Sequence, residues 1–302
     1  MKTGIILTAL LFTFLYNYAG ELKYAASEIP ELLKKKAHTV KRMEEVEFEI
    51  INTSETFIRR KYALTILDEN GESDAILEEP YDKLMQIRSI EGTLYDAKGA
   101  LVKKLKSKEI MDLSAVSDIS LIDDNRRKVF QFYYKTYPYT VEFDVEIKIN
   151  NTFYFPKWVP QEGENFSVQH SQYTLICPSD YNIHYKAFNY KGEPVITTEK
   201  NKKIMKWEVK DLPAITSHFA SPSWREMTTI IYFAPSDFEI QGYKGNMSTW
   251  NDYGKFVYSL NAGRDQLPDN IIQKVKELTN GITDEKQKIN VLYNFLQKNT
   301  RY

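Results

Sequence analysis

The stretch "YTVEFDVEIKI", residues 139–149, alternates apolar and polar side chains without a break. Tyr139, Val141, Phe143, Val145, Ile147 and Ile149 are apolar, whereas Thr140, Glu142, Asp144, Glu146 and Lys148 are polar. Successive strand side chains point to opposite faces, so this pattern predicts a half-buried antiparallel strand with one face on a core and one in water. A helix of the same residues would scatter its apolar groups around the axis.

The same alternation recurs in Val46, Phe48 and Ile50, in Phe130, Phe132 and Tyr134, and in Met205, Trp207 and Val209. Turn formers separate the runs, with Asn70 and Gly71, Gly99, and Gly192 as examples. Repeated strands with turns between them predict a mainly β chain built on a large antiparallel β-sandwich, with its first strand from about residue 43. The 41 aromatic rings, 21 Tyr, 16 Phe and 4 Trp, suit the half-buried surfaces of such a fold. Ahead of it, "EIPELLKKKAHTVKRM" reads as a short helix begun near Pro30 that packs on an edge or end of the sandwich. Lys34, Lys35 and Lys36, extended by Lys41 and Arg42, read as its solvated basic face.

After about residue 245 the period becomes helical, so a short α-helical segment is expected to follow the sandwich. In "MSTWNDYGKFVYSLNAG", Ser248 or Thr249 is the expected N-cap, Trp250, Tyr253, Val257 and Leu260 form the apolar face, and Gly263 ends the helix. A second helix starts near Pro268 with Ile271, Val275 and Leu278 on one face and stops at Asn280 and Gly281. The third, "DEKQKINVLYNFLQKNTRY", has Thr283 as expected N-cap and a stripe of Ile289, Leu292, Tyr293 and Leu296, widened by Val291 and Phe295. That stripe is broader than one neighbouring sandwich needs, and such a helix expects a core around it.

Residues 1–20 place Lys2 before an apolar run from Ile5 to Leu15, with Ala19 and Gly20 behind. This is the layout of a secretory signal peptide, and the run is shorter than the roughly 20 residues that span a bilayer. The expected organisation is therefore a signal peptide at 1–20, a sandwich at 21–245 and helices at 246–302, in a chain exported to the periplasm, the outer membrane or the medium. A single Cys in an exported chain leaves no internal disulfide. Lys and Arg number 40 against 41 Asp and Glu, without long single-sign blocks, so nucleic acid is not an expected partner.

Chemistry-bearing residues are few. Cys177 sits in "QYTLICPSD", where Tyr173 and Leu175 share its strand face, and reads as a buried inert thiol. His38, His170, His184 and His218 form no pair at metal-ligand spacing, so no metal or cofactor is expected. Glu78 and Glu79 before Pro80, and Asp123 and Asp124 before Asn125, read as solvated loops, because adjacent residues point apart rather than forming a carboxylate pair. Phe153, Tyr154, Phe155, Trp158 and Phe166 gather in "FYFPKWVPQEGENF"; they read as core and a packed loop, with a glycan- or peptide-binding platform as the alternative. Asn52, Asn150, Asn165 and Asn246 head glycosylation sequons that matter only in a glycosylating host.

The layout resembles secreted proteins of Gram-negative bacteria in which an N-terminal β-sandwich of unknown function precedes a transglutaminase-like domain of papain-like fold. The resemblance rests on "ELLKKKAHTVKRMEEVEFEI", on "YTVEFDVEIKI" with "FYFPKWVPQ", on "LPAITSHFASPSWREM", and most specifically on "NMSTWNDYGKFVYSLNAGRDQLP". It implies that the last helix opens the transglutaminase-like domain, whose Cys, His and Asp lie beyond Tyr302, and that the chain is truncated there. No residue of this chain matches that triad, and Cys177 falls in the wrong domain. The expectation is a non-catalytic module that positions substrate or partner for a cysteine protease or amidase. A freestanding glycan- or peptide-binding sandwich and a structural spacer are the alternatives, and an exposed Trp158 would favour the binder.

Overall fold

The computed structural model describes residues 22–115 and 124–300. The signal peptide expected at 1–20, Asp123 and Tyr302 lie outside these residues. Among them the strands are, in order, β1 (Thr39–Asn52), β2 (Glu55–Ile66), β3 (Leu77–Tyr81), β4 (Met85–Tyr95), β5 (Leu101–Lys104), β6 (Met111–Ser114), β7 (Arg126–Phe130) and β8 (Tyr139–Ile149). They continue with β9 (Phe166–Pro178), β10 (Ile183–Phe188), β11 (Val195–Glu199), β12 (Lys202–Leu212), β13 (Ile230–Pro235), β14 (Asp237–Ile240) and β15 (Tyr243–Asn246). Helices α1 (Glu31–Lys34) and α2 (Trp224–Met227) are single turns, and α3 (Trp250–Asn261), α4 (Asp269–Leu278) and α5 (Glu285–Asn299) close the chain. The chain is mainly β, as the alternation predicts.

One eight-stranded sheet, ordered β11-β12-β9-β1-β2-β8-β4-β5, carries the architecture. Its inner face holds the predicted β8 side chains: Tyr139, Val141, Phe143, Val145, Ile147 and Ile149 are all buried. Two smaller sheets cover that face. The three-stranded sheet β3-β7-β6 brings Leu77 and Phe130 onto β8, and β10-β13 brings Ile231 and Phe233 onto Phe48, Tyr173, Leu175 and Trp207. Burial of each such side chain contributes roughly 1.5–3 kcal/mol.

The large sheet is mixed, where the sequence reading expected it antiparallel. β1 and β9 run parallel, with Val46 opposite Tyr173 and Phe48 opposite Leu175. Parallel neighbours need a long crossover, and here every strand from β2 to β8 lies between them in sequence. Alternation within one strand reports burial and says nothing of a neighbour's direction.

The N-terminal helix is only the four residues Glu31–Lys34, and β1 begins at Thr39 instead of about residue 43. Leu33 is fully buried against Ile29, Ala37 and Val40, and the Ser167 hydroxyl donates to its carbonyl at 2.7 Å. Lys41 and Arg42, expected on a solvated face, are both buried. Asn70 and Gly71 lie in a 3-10 stretch, Glu69–Ala75, instead of a hairpin turn.

The helical boundaries are near those expected, with two corrections. Thr249 caps α3 by accepting from the Asp252 amide at 3.1 Å, and Asp284, not Thr283, caps α5 by accepting from Gln287 at 3.1 Å. The side chain that seats α3 is Phe256, absent from the expected face, and Trp250 is exposed. Phe256 stands edge-on to Phe238 at 4.7 Å over Gly245, where an added Cβ would lie 2.6 Å from the Phe256 ring.

Candidate functional site

Between the two covering sheets the inner face is left open as a cleft. Two hollows of about 380 and 510 Å³ share Glu44, Arg60, Glu78 and Glu162, and so are continuous. The floor is Val46, Ile58, Val145 and Ile147; Glu79 and Pro80 of β3 form one wall, and Trp158, Trp224 and Ile230 the other.

A buried ion network sits in this cleft. Lys41 is 1% exposed, and its ammonium donates to Glu44 at 2.8 Å and to Glu162 at 2.9 Å, with the Phe166 ring centroid 5.5 Å away. The second oxygen of Glu44 accepts from the Ser171 hydroxyl, which in turn accepts the Trp158 indole N–H at 3.0 Å. Arg60 pairs with Glu79 through one Nη, and its Nε–H is buried without a partner among the described residues. Burial opposes the charge on Lys41, yet Glu44 and Glu162 outweigh it and hold the amine above its ordinary pKa. Burial likewise opposes the Arg60 charge and is outweighed, Glu79 first among the causes. Glu79 is pushed up by burial that Arg60 does not fully offset, and Asp74 is pushed up by burial too. For Glu162 burial is outweighed by Lys41, and its carboxyl is held low.

A β-bulge explains how Lys41 arrives there. The β1–β2 register pairs Lys41 with Leu64 and Met43 with Ala63, leaving Arg42 unpaired. The extra residue shifts the pleat by one, so Lys41 joins Glu44, Val46 and Phe48 on the inner face. Strict alternation would have placed it outside with Glu45. Glu78 and Glu79 do not form a solvated loop: they lie on β3, Glu78 outward against Arg127 at 2.9 Å and Glu79 inward, 4% exposed, against Arg60. Glu162, whose partner is 121 positions away, carried no signal in the sequence.

The other singled-out residues are dispersed. Cys177 is fully buried beside Leu175 and Met205, and burial raises its thiol. His38 lies 2.9 Å from Asp68, His170 2.7 Å from Glu208, and His184 3.0 Å from the Ser236 hydroxyl. The His218 amide donates to Ser221, and among the described residues no three His, Cys, Asp or Glu side chains group as metal ligands. Asp124 is exposed. Of the sequons, Asn165 already spends its amide on the Lys36 carbonyl at 2.7 Å.

Within the aromatic stretch Trp158 is 2% exposed and Phe166 is buried, while Phe155 stands edge-on to Phe48 at 4.8 Å. A platform displaying Trp158 is thereby ruled out. Tyr154 is exposed, at the rim of a hollow of about 540 Å³ shared with Phe153, Met247, Trp250 and Tyr253.

Fold and cleft together define a class: a mixed-sheet β domain with two covering layers and a charged opening between them. Residues 53–216 match the model of a domain of unknown function with a solved structure, DUF3857, and the chain belongs to that family. The crystal structure of a "putative protease" from Parabacteroides distasonis shares the fold at a TM-score of 0.64 and 13% identity, covering 87% of this chain. This chain spans 50% of the length of that one. An M1 zinc metallopeptidase variant from Deinococcus radiodurans, bound to a Tyr-Ser-Ala substrate, aligns at 7% identity over 69% of this chain and 46% of its own. Its TM-score is 0.30. No curated protein sequence matches the chain.

Proposed function

We propose that this chain is the non-catalytic β module, with the first helices of the next domain, of an exported cysteine protease or amidase of the transglutaminase-like class. The module holds that domain and presents substrate to it. The observation that carries this reading is the bare apolar face of α5: Ile289 is 67% exposed, Tyr293 58% and Leu296 54%. Among the described residues neither α4 nor α5 has a buried side chain, although both are amphipathic and Asp284 caps α5. A core supplied by a further domain would cover them. The likeness to the Parabacteroides protein, of which this chain spans half, supports the same reading.

Cys177 lacks what a nucleophile needs, which supports a reading in which the chemistry belongs to another domain. A reactive thiolate needs a lowered pKa and access, and burial gives Cys177 the opposite of both. The test is to express the whole reading frame of the gene, assay amide hydrolysis, and treat it with iodoacetamide. Activity should be lost on alkylation and kept in Cys177→Ser. Loss of activity in a folded Cys177→Ser protein would overturn the reading. Export is checked by N-terminal sequencing of the mature protein, which should start near Gly20 or Glu21; retention of Met1 would count against it.

A further inference from the structure

The hollow of about 540 Å³ beside Tyr154 is separate from the charged cleft, and it opens where a strand pairing stops early. Trp158 and Ile231 form an antiparallel bridge and exchange both backbone hydrogen bonds at 2.9 Å, so the loop ending at Trp158 begins as a neighbour of β13. The next partners along that ladder would be Pro156 and Phe233. Proline has no N–H to give, and no backbone bond joins the two. Past that point the hollow is lined by Phe153, Tyr154 and Phe155 of the loop and by Phe233 and Pro235 of β13.

The main chain of Phe233 is left over by this arrangement. In an antiparallel ladder successive residues turn their N–H and C=O groups to opposite sides. Ile231 turns away from β10, toward Trp158, while Ser236 turns to the β10 side and donates to the Asn182 carbonyl at 3.1 Å. Phe233, opposite Tyr185 in the β10–β13 register, therefore turns away from β10 as Ile231 does. Among the described residues no backbone group meets its N–H or C=O there, although Phe233 is only 9% exposed. Buried backbone groups are ordinarily paired. Pro235, next on that side, has a carbonyl and no N–H, so the open edge offers a donor and an acceptor at Phe233 alone.

The rest of the hollow is aromatic and uncharged. Trp250, at the start of α3, is 89% exposed and Tyr154 is 65% exposed, and no acidic, basic or amide side chain lines the space. We propose that it binds an uncharged, proline-rich peptide segment in the extended polyproline conformation, with one non-proline residue paired to the Phe233 main chain and the flanking prolines stacked on the Trp250 and Tyr154 rings. The short edge selects for proline. An ordinary strand would bring further N–H groups with no acceptor to meet them, whereas proline brings none. Polyproline segments make no internal hydrogen bonds, so their carbonyls are free to accept from the Trp250 indole and the Tyr154 hydroxyl, as in other aromatic grooves that hold such segments. A charged ligand finds no counter-charge here, and a sugar finds no carboxylate or amide for its hydroxyls. The site needs no downstream domain, so it stands or falls separately from the proteolytic reading.

Titration calorimetry of the purified chain at neutral pH tests this with N-acetyl-Pro-Pro-Leu-Pro-Pro-amide, the same peptide carrying N-methyl-leucine at its centre, and chitotriose. The first peptide should bind with a Kd below about 1 mM. N-methylation removes the one N–H that the Phe233 carbonyl accepts and should weaken binding about tenfold. Trp250→Ala and Tyr154→Ala should each weaken it about tenfold or more, and because both rings are exposed these variants keep the fold. No binding of the first peptide at millimolar concentration, equal binding of the N-methyl peptide or of chitotriose, or unchanged binding in Trp250→Ala would overturn the proposal. So would a dimer in sedimentation that Trp250→Ala dissociates, since a second copy of the chain would then cover the hollow.

Discussion

The β body and the two last helices are built by opposite rules. In the body every long strand finds a partner on each side or a covering layer, and its apolar side chains vanish into two adjoining clusters. In α4 and α5 the local signals are equally good, with Pro268 and Asp284 at the starts and Gly281 at a positive φ after α4, but their apolar side chains are at most half-buried, and Ile271, Ile289, Tyr293 and Leu296 are exposed. Local propensity makes a helix; packing makes it stay. The contrast locates stability in the sheet and leaves α4 and α5 with exposed apolar side chains.

The largest expected effect follows directly. Phe143→Ala empties a site between Phe130, Phe132 and Tyr62 and should cost about 3–5 kcal/mol in urea unfolding. Leu296→Ala, the same kind of truncation on α5, should stay within about 0.5 kcal/mol. Comparable losses at the two positions would break the comparison.

A smaller effect asks whether the cleft belongs to the body's stability. Lys41→Ala leaves Glu44 buried beside Ser171 without its cation, and removing one member of a buried pair costs about 3 kcal/mol. Lys41→Met, which fills the space but removes the charge, should restore little, because Glu44 stays unpaired.

The smallest effect is pH-dependent and probes the N-terminal segment. Glu142 accepts the hydroxyls of Tyr95 at 2.8 Å and Tyr24 at 2.9 Å. Burial would raise this carboxyl, but those hydrogen bonds, with Lys61 and Lys23, outweigh it and hold it below the ordinary carboxylate range. A carboxyl lowered by folding stabilises above its unfolded pKa, and that stability is lost as pH falls through the folded value. Glu142→Gln should therefore cost about 1–2 kcal/mol at neutral pH, and the difference should close as the pH falls below about 4.

The same two regions show what a sequence can disclose. The apolar face of β8 was legible at all six odd positions, because each falls on a sheet face with a period of two. Burial on the opposite face at Thr140 and Glu142 was not, since it is imposed by residues 22–29 folding back, where Ala26 donates to Ala97 at 3.0 Å. Lys41 was read as solvated because the basic run was assigned to the preceding helix and the first strand to about residue 43, whereas β1 starts at Thr39 and the bulge at Arg42 turns Lys41 inward. Glu79 and Glu162 joined the candidate site only through contacts with Arg60 and Lys41 across the fold. The helices were legible from periodicity and caps, though Phe256 was missed because its seat is Gly245, outside the helix.

Native-state hydrogen exchange, read residue by residue on this chain, tests the contrast most directly. Amides of β1, β2, β8 and β9 should exchange only through global unfolding, and those of α4 and α5 should be protected at least about 100-fold less. Protection in α5 equal to that in β8 would mean the helix is part of the β body's cooperative unit, and would contradict the account.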